Sequence, residues 1–108
     1  MNFVHKELAA GRWQTLSLIE QMANIGSEFE RAIKWRGRNE AYSRNAADRG
    51  LELLWLTIDD PRHRTRLRKL TRLYEVLVDY FYGENLYSSS DELWHKYFSA
   101  FTWAARAV

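Results

Sequence analysis

The feature that most constrains this fold is its single proline, Pro61, in 108 residues. Proline is excluded from helix interiors, so a chain almost free of it can form long helices. Apolar residues recur at steps of three and four, and no stretch shows the apolar–polar alternation of a half-buried strand. The sequence therefore predicts an all-α protein.

Capping residues and the proline mark the boundaries of the predicted helices. Ser17 with Glu20, and Ser89 with Glu92, have the spacing of a capping box, and Pro61 suits a first helical position. Four helices are predicted, over about 17–36, 39–58, 61–82 and 89–107, after a short N-terminal arm or helix over 1–13. Because the connections are short, we expect an antiparallel four-helix bundle that forms one domain over residues 1–108.

A glycine lies within the apolar stripe of the first predicted helix. Gly26 stands among Met22, Ile25 and Phe29, where it lowers helix propensity by about 1 kcal/mol relative to alanine. The expected compensation is close approach of a neighbouring helix.

Composition excludes several classes of protein. There is no cysteine, so a disulfide, a thiolate nucleophile and a cysteine-based zinc site are excluded. The first twenty residues contain charges among short apolar pieces, unlike a signal peptide, and no apolar run approaches the ~20 residues of a membrane span. The sequence predicts a cytoplasmic protein with no membrane association.

Residues 62–72, hereafter the basic segment, contain six cations and no acid. Since the whole chain carries +2 and this segment +6, the remainder carries −4. Clustered arginines suit bidentate contact with phosphates, which makes nucleic acid a possible partner. The predicted polyanion-binding residues are Arg62, Arg64, Arg66, Arg68, Lys69 and Arg72. Arg64, Arg68 and Arg72 are expected on one face of the third helix.

Charge runs more often pair with acids of the same protein or of a neighbouring subunit. The acids expected to serve as such partners are Glu20, Glu28, Glu30, Asp48 and Glu52. Under this alternative the basic segment contributes to stability or assembly and binds no external ligand.

The aromatic content is high, with five Trp, six Tyr and five Phe. These rings exceed what one small core needs, and the fourth predicted helix is apolar nearly all round. Surplus rings are typical of subunit or partner interfaces. The predicted interface residues are Trp94, Phe98, Phe101 and Trp103. A homo-oligomer is expected, and a protein-interaction adaptor is the alternative function.

The sequence gives little support for a catalytic site or a metal site. Glu92 and His95 have the spacing found in di-iron bundles, but such a site needs two of these motifs and further carboxylates. Only a symmetric dimer could supply them. No serine–histidine–acid arrangement or phosphate-binding glycine loop is recognisable. We therefore predict no enzymatic activity, no catalytic residue, no metal site and no cofactor.

Several short stretches carry a resemblance to known proteins. They are residues 24–28 (NIGSE) followed by Arg31, Ala32 and Trp35, and residues 49–54 (RGLELL), 60–62 (DPR) and 79–85 (DYFYGEN). Together they resemble a group of small uncharacterised bacterial proteins of similar length. More remotely, the chain is similar in outline to the four-helix proteins encoded in 23S rRNA intervening sequences and to the accessory proteins of diversity-generating retroelements. These resemblances imply oligomeric bundles and, for the retroelement proteins, nucleic-acid binding.

Overall fold

The computed structural model describes residues 11–107 and confirms an all-α four-helix bundle. Its helices are α1 (Leu18–Trp35), α2 (Glu40–Ile58), α3 (Leu67–Tyr82) and α4 (Asp91–Ala107). Short 3₁₀ helices, Trp13–Thr15 and Pro61–Arg66, precede α1 and α3. No strand occurs within residues 11–107. The predicted arm lies outside the described residues except for its last three.

The two predicted capping boxes have different outcomes. The first is confirmed, because the Glu20 amide donates to Ser17 Oγ (3.2 Å) and the Ser17 amide donates to Glu20 Oε1 (3.1 Å). The second is wrong: Ser89 is buried, and α4 is capped one residue later, where Ser90 Oγ accepts from the Leu93 amide (3.1 Å). The Ser89 amide donates instead to the side chain of Asn85 in the preceding loop.

The core is centred on α1, which packs against α2 on one side and α4 on the other. The fully buried ring of Phe29 lies 5.1 Å from the Phe81 ring and 5.7 Å from the Phe98 ring, measured between centroids. Helix α3 packs on α2 and contributes Leu70 and Leu77 to the interior. The principal aromatic contacts of the core therefore join α1, α3 and α4.

Close approach at Gly26 is confirmed. A Cβ atom at this position would lie 2.8 Å from the Phe98 Cβ, which is closer than real side chains approach. Helix α4 can therefore pack directly on the backbone of α1. Gly50 on α2 plays a similar part, since its Cβ would lie 2.7 Å from the Phe29 ring.

Two apolar residues at the starts of helices are exposed. Leu67, at the start of α3, is 44 % exposed, and Ile19 on α1 is also exposed. Both lie in the first turn of their helices.

Candidate polyanion-binding site

The basic segment spans two kinds of helix, whereas one continuous α-helix was predicted over 61–82. Its first part belongs to the 3₁₀ helix Pro61–Arg66, in which His63 departs from helical geometry (φ −104°, ψ 21°), and α3 begins only at Leu67. Residues in a 3₁₀ turn do not share the facing pattern of an α-helix. The predicted alignment of Arg64 with Arg68 and Arg72 along one helical face is therefore wrong.

Asp60 anchors the start of the basic segment. The Arg62 amide donates to Asp60 Oδ1 (3.0 Å), which caps the 3₁₀ helix, and Pro61 occupies its first position as predicted. The Arg62 guanidinium also binds this carboxylate, with Nη2 2.7 Å and Nε 3.1 Å from Oδ2. These hydrogen bonds hold the pKa of Asp60 at about 2, against the opposing effect of burial.

Arg62 has a further internal contact. Its Nη2 donates to the Leu16 carbonyl oxygen at 2.7 Å, which ties the basic segment to the chain just before α1. The Arg62 guanidinium is therefore engaged in contacts within the protein. The structure separates Arg62 from the other predicted polyanion-binding residues.

His63 belongs to a buried polar network, although arginines flank it in the sequence. Its Nε2 lies 2.7 Å from Gln21 Oε1 and 3.5 Å from Asp60 Oδ2. Because Gln21 Nε2 donates to the Trp13 carbonyl (3.0 Å), the Gln21 oxygen is left to accept from His63. Burial lowers the pKa of His63, while the Asp60 charge opposes this change. The contact between His63 and Gln21 therefore joins the segment to α1.

A second buried hydrogen bond joins the residues just before α1 to α2. Trp13 is buried, and its Nε1 donates to Thr57 Oγ1 on α2 at 3.0 Å. Sequence reasoning missed Gln21 and Thr57 as buried polar groups. The available signal was their position, since each is a polar residue next to apolar residues on the inner side of its helix.

The remaining cations of the basic segment are exposed to solvent. They are Arg64, Arg66, Arg68, Lys69 and Arg72, hereafter the five exposed cations. None of them forms an ion pair with a carboxylate of residues 11–107. By contrast, Arg31, Arg36 and Arg49 each pair with a carboxylate. The five exposed cations thus lie close together in the sequence and have no ion-pair partner within residues 11–107.

Most acids expected to neutralise the basic segment are engaged by other groups. They are Glu20 in the cap of α1, Glu28 in ion pairs with Arg31 and Arg49, Glu30 in an ion pair with His95, and Asp48 in a hydrogen bond from Tyr82. Internal pairing is confirmed for Arg62 through Asp60, an acid that was not among the expected partners.

A shallow groove of about 520 Å³ follows the outward face of α3. It is lined by Arg68, Lys69, Thr71, Arg72 and Glu75. Arg68 and Lys69 stand in the first turn of α3, which contains no acid. The positive end of the helix dipole adds to their charges. With three cations and one carboxylate in its lining, the groove suits an anion.

Two of the predicted interface residues lie inside the single chain. Trp94 and Phe98 are buried in the core, so they are unavailable as anchors for a partner, and this part of the prediction is wrong. The space over Gly26 accommodates the Phe98 side chain, which sequence spacing alone does not reveal. Phe101 is half-buried, whereas Trp103 is 75 % exposed.

The Glu92 and His95 pair gains no further ligands. Within residues 11–107, histidine and acidic side chains form no group of three or more that could hold a metal ion. His95 Nδ1 lies 2.9 Å from Glu30 Oε1, and this contact raises the pKa of His95. The arrangement is an exposed ion pair between α1 and α4.

Comparisons with known proteins provide no functional assignment. No family model, curated protein or solved structure matches this chain. The resemblances found in the sequence therefore stay predictions. Among the helices of residues 11–107, none combines the length and apolarity that crossing a membrane requires.

Proposed function

We propose that the protein is a non-enzymatic, cytoplasmic binding protein that contacts nucleic acid through the five exposed cations. The observation that carries this proposal is their lack of ion pairs within residues 11–107, while Arg62 beside them is paired. Crowded like charges repel one another, and a polyanion relieves that repulsion. Binding phosphates also releases condensed counterions, which drives association.

The chemistry of the surface favours backbone contact. Arginine presents a planar set of donors that matches two phosphate oxygens at once, and four of the five exposed cations are arginines. Contacts of this kind fix position on a nucleic acid and carry no base information. The proposed binding is therefore independent of sequence and strongly dependent on salt.

A charge-matched pair of variants tests the proposal. The first carries Arg64→Gln, Arg68→Gln and Arg72→Gln. The control carries Arg12→Gln, Arg38→Gln and Arg106→Gln, which removes three exposed cations elsewhere and so changes the net charge equally. Binding of labelled mixed-sequence RNA and DNA is measured by fluorescence anisotropy at a series of salt concentrations.

The salt dependence reports how many phosphates are contacted. Each lost contact is expected to reduce the slope of log affinity against log salt by roughly 0.7–0.9. We expect a shallower slope and weaker binding for the first variant and an unchanged slope for the control. Absence of binding by the wild-type protein at every salt concentration, or equal losses in the two variants, would refute the proposal.

Oligomerisation is part of the proposed function. It is supported by Trp103, which is a large apolar side chain left mostly exposed on α4, with Leu93 and Tyr97 also exposed on this helix. Light scattering of the purified protein gives the mass directly. A monomer mass at working concentrations would remove oligomerisation from the proposal and leave the nucleic-acid contact unaffected.

A further inference from the structure

The loop between α3 and α4, residues 83–90, presents two large apolar side chains to solvent. Leu86 is 78 % exposed and Tyr87 is 46 % exposed. Neither residue is needed to fill the core, which is completed by residues of the helices. Their exposure therefore calls for a reason other than packing.

The side chains of Asp79 and Asn85 form hydrogen bonds with the backbone of this loop. The Asp79 carboxylate on α3 accepts from the Leu86 amide (Oδ1, 2.8 Å) and from the Tyr87 amide (Oδ2, 3.0 Å). The Asn85 side chain accepts from the Ser89 amide (2.8 Å) and donates to the Ser89 carbonyl (2.9 Å). These side-chain hydrogen bonds hold the backbone at Leu86 and Tyr87 and join the flanking residues Asn85 and Ser89.

The backbone of the loop is also unusual. Asn85 and Ser88 have φ values of 58° and 56°, in the left-handed region that residues with a side chain seldom occupy. Such conformations persist only where surrounding contacts determine them, and they concentrate at functional sites. Here they flank Leu86 and Tyr87 on both sides.

Tyr87 adjoins the basic surface. The Arg72 guanidinium lies 5.2 Å from the centre of the Tyr87 ring, in a cation–π contact. Arg72 also lines the groove on the outward face of α3. A chain of phosphates that follows this groove would bring its bases next to the exposed part of the Tyr87 ring.

We infer that the bound nucleic acid is single-stranded and that Tyr87 provides a stacking platform for one of its bases. This inference rests on the proposed function and narrows its ligand class. Bases of a single strand are free to stack on an aromatic ring beside a positively charged groove, whereas bases of a duplex are already stacked on one another. The rigid loop holds the ring in place before the strand arrives.

The test compares two variants at the same exposed position. Tyr87→Leu removes the ring and keeps apolar bulk, so folding is preserved, and Tyr87→Phe keeps the ring. Tyr42→Leu, the same substitution at an exposed tyrosine on α2, serves as a control for loss of an exposed ring. Binding of a labelled single-stranded oligonucleotide and of the duplex of the same sequence is measured across a salt series.

We expect Tyr87→Leu to weaken single-strand binding about tenfold without changing the salt slope, because stacking involves no counterion release. Tyr87→Phe and Tyr42→Leu should bind as the wild type does, and the wild type should bind the duplex more weakly. Unchanged single-strand binding by Tyr87→Leu, equal losses for both Tyr87 variants, or equal losses on strand and duplex would overturn the inference.

Failure of this inference and failure of the proposed function give different results. If only the inference fails, Tyr87→Leu binds normally while the triple arginine variant does not. If the proposed function fails, the wild-type protein binds neither strand nor duplex at low salt, and the inference falls with it.

Discussion

The contact between α1 and α4 at Gly26 is close enough to be tested with one methyl group. A Cβ atom there would lie 2.8 Å from the Phe98 Cβ and 2.9 Å from its Cγ, whereas ordinary contact begins at 3.4 Å. Gly26→Ala therefore requires a separation of about 0.6 Å, since 3.4 minus 2.8 is 0.6. The Cβ of Phe98 is attached to the backbone, so rotating the side chain gives no relief.

Two opposing effects set the magnitude. Alanine improves helix propensity over glycine by about 1 kcal/mol. Overpacking a core costs about 1–3 kcal/mol, and the upper part of that range applies because Phe98 is fully buried and stacked on Phe29. Gly26→Ala should therefore lower the free energy of unfolding by about 2 kcal/mol.

Urea unfolding followed by circular dichroism measures this change. The neighbouring variant Ser27→Ala is the control, because Ser27 is exposed on the same helix and should change the free energy of unfolding by less than about 0.5 kcal/mol. If Gly26→Ala proved as stable as the wild type or more stable, the close α1–α4 contact would be refuted.

Two further predictions concern the buried network. The pKa of Asp60 is lowered from 3.8 to about 2, so its contribution is present above pH 3.8 and is lost as the pH falls towards 2. That contribution is about 2 kcal/mol, and Asp60→Asn should flatten this part of the stability curve measured by urea unfolding from pH 5 to 2. Trp13→Phe removes the hydrogen bond to Thr57 and also part of a buried ring, so it should lower the free energy of unfolding by at least about 1 kcal/mol. Equal stability of Trp13→Phe and the wild type would show that this bond contributes nothing.

The helices could be predicted because their signals are local. Ser17 and Glu20 form the expected cap, and Asn39 accepts from the Tyr42 amide at the start of α2. The apolar stripes follow from helical spacing, and the glycine at position 26 indicates close approach of a helix without identifying Phe98 as the contact. Each depends on residues within a few positions of one another, so the sequence contains the necessary information.

The details that failed depend on contacts between distant residues. The 3₁₀ helix at the start of the basic segment is held by Gln21, which lies 42 residues before His63. The burial of Trp94 and Phe98 depends on how closely two helices approach, so spacing could not separate core rings from interface rings. For the site, the sequence located the cations, but only the folded structure distinguished Arg62, which is paired with Asp60, from its exposed neighbours.

The packing of α3 has a consequence for how the protein opens. Helix α1 is covered by two helices, whereas α3 packs mainly on α2 and carries three of the exposed cations, Arg68, Lys69 and Arg72. Local opening draws on the least covered elements, so the amides of α3 should exchange with solvent sooner than those of α1. A ligand that binds only the closed helix would slow that exchange, which makes α3 itself a reporter of occupancy.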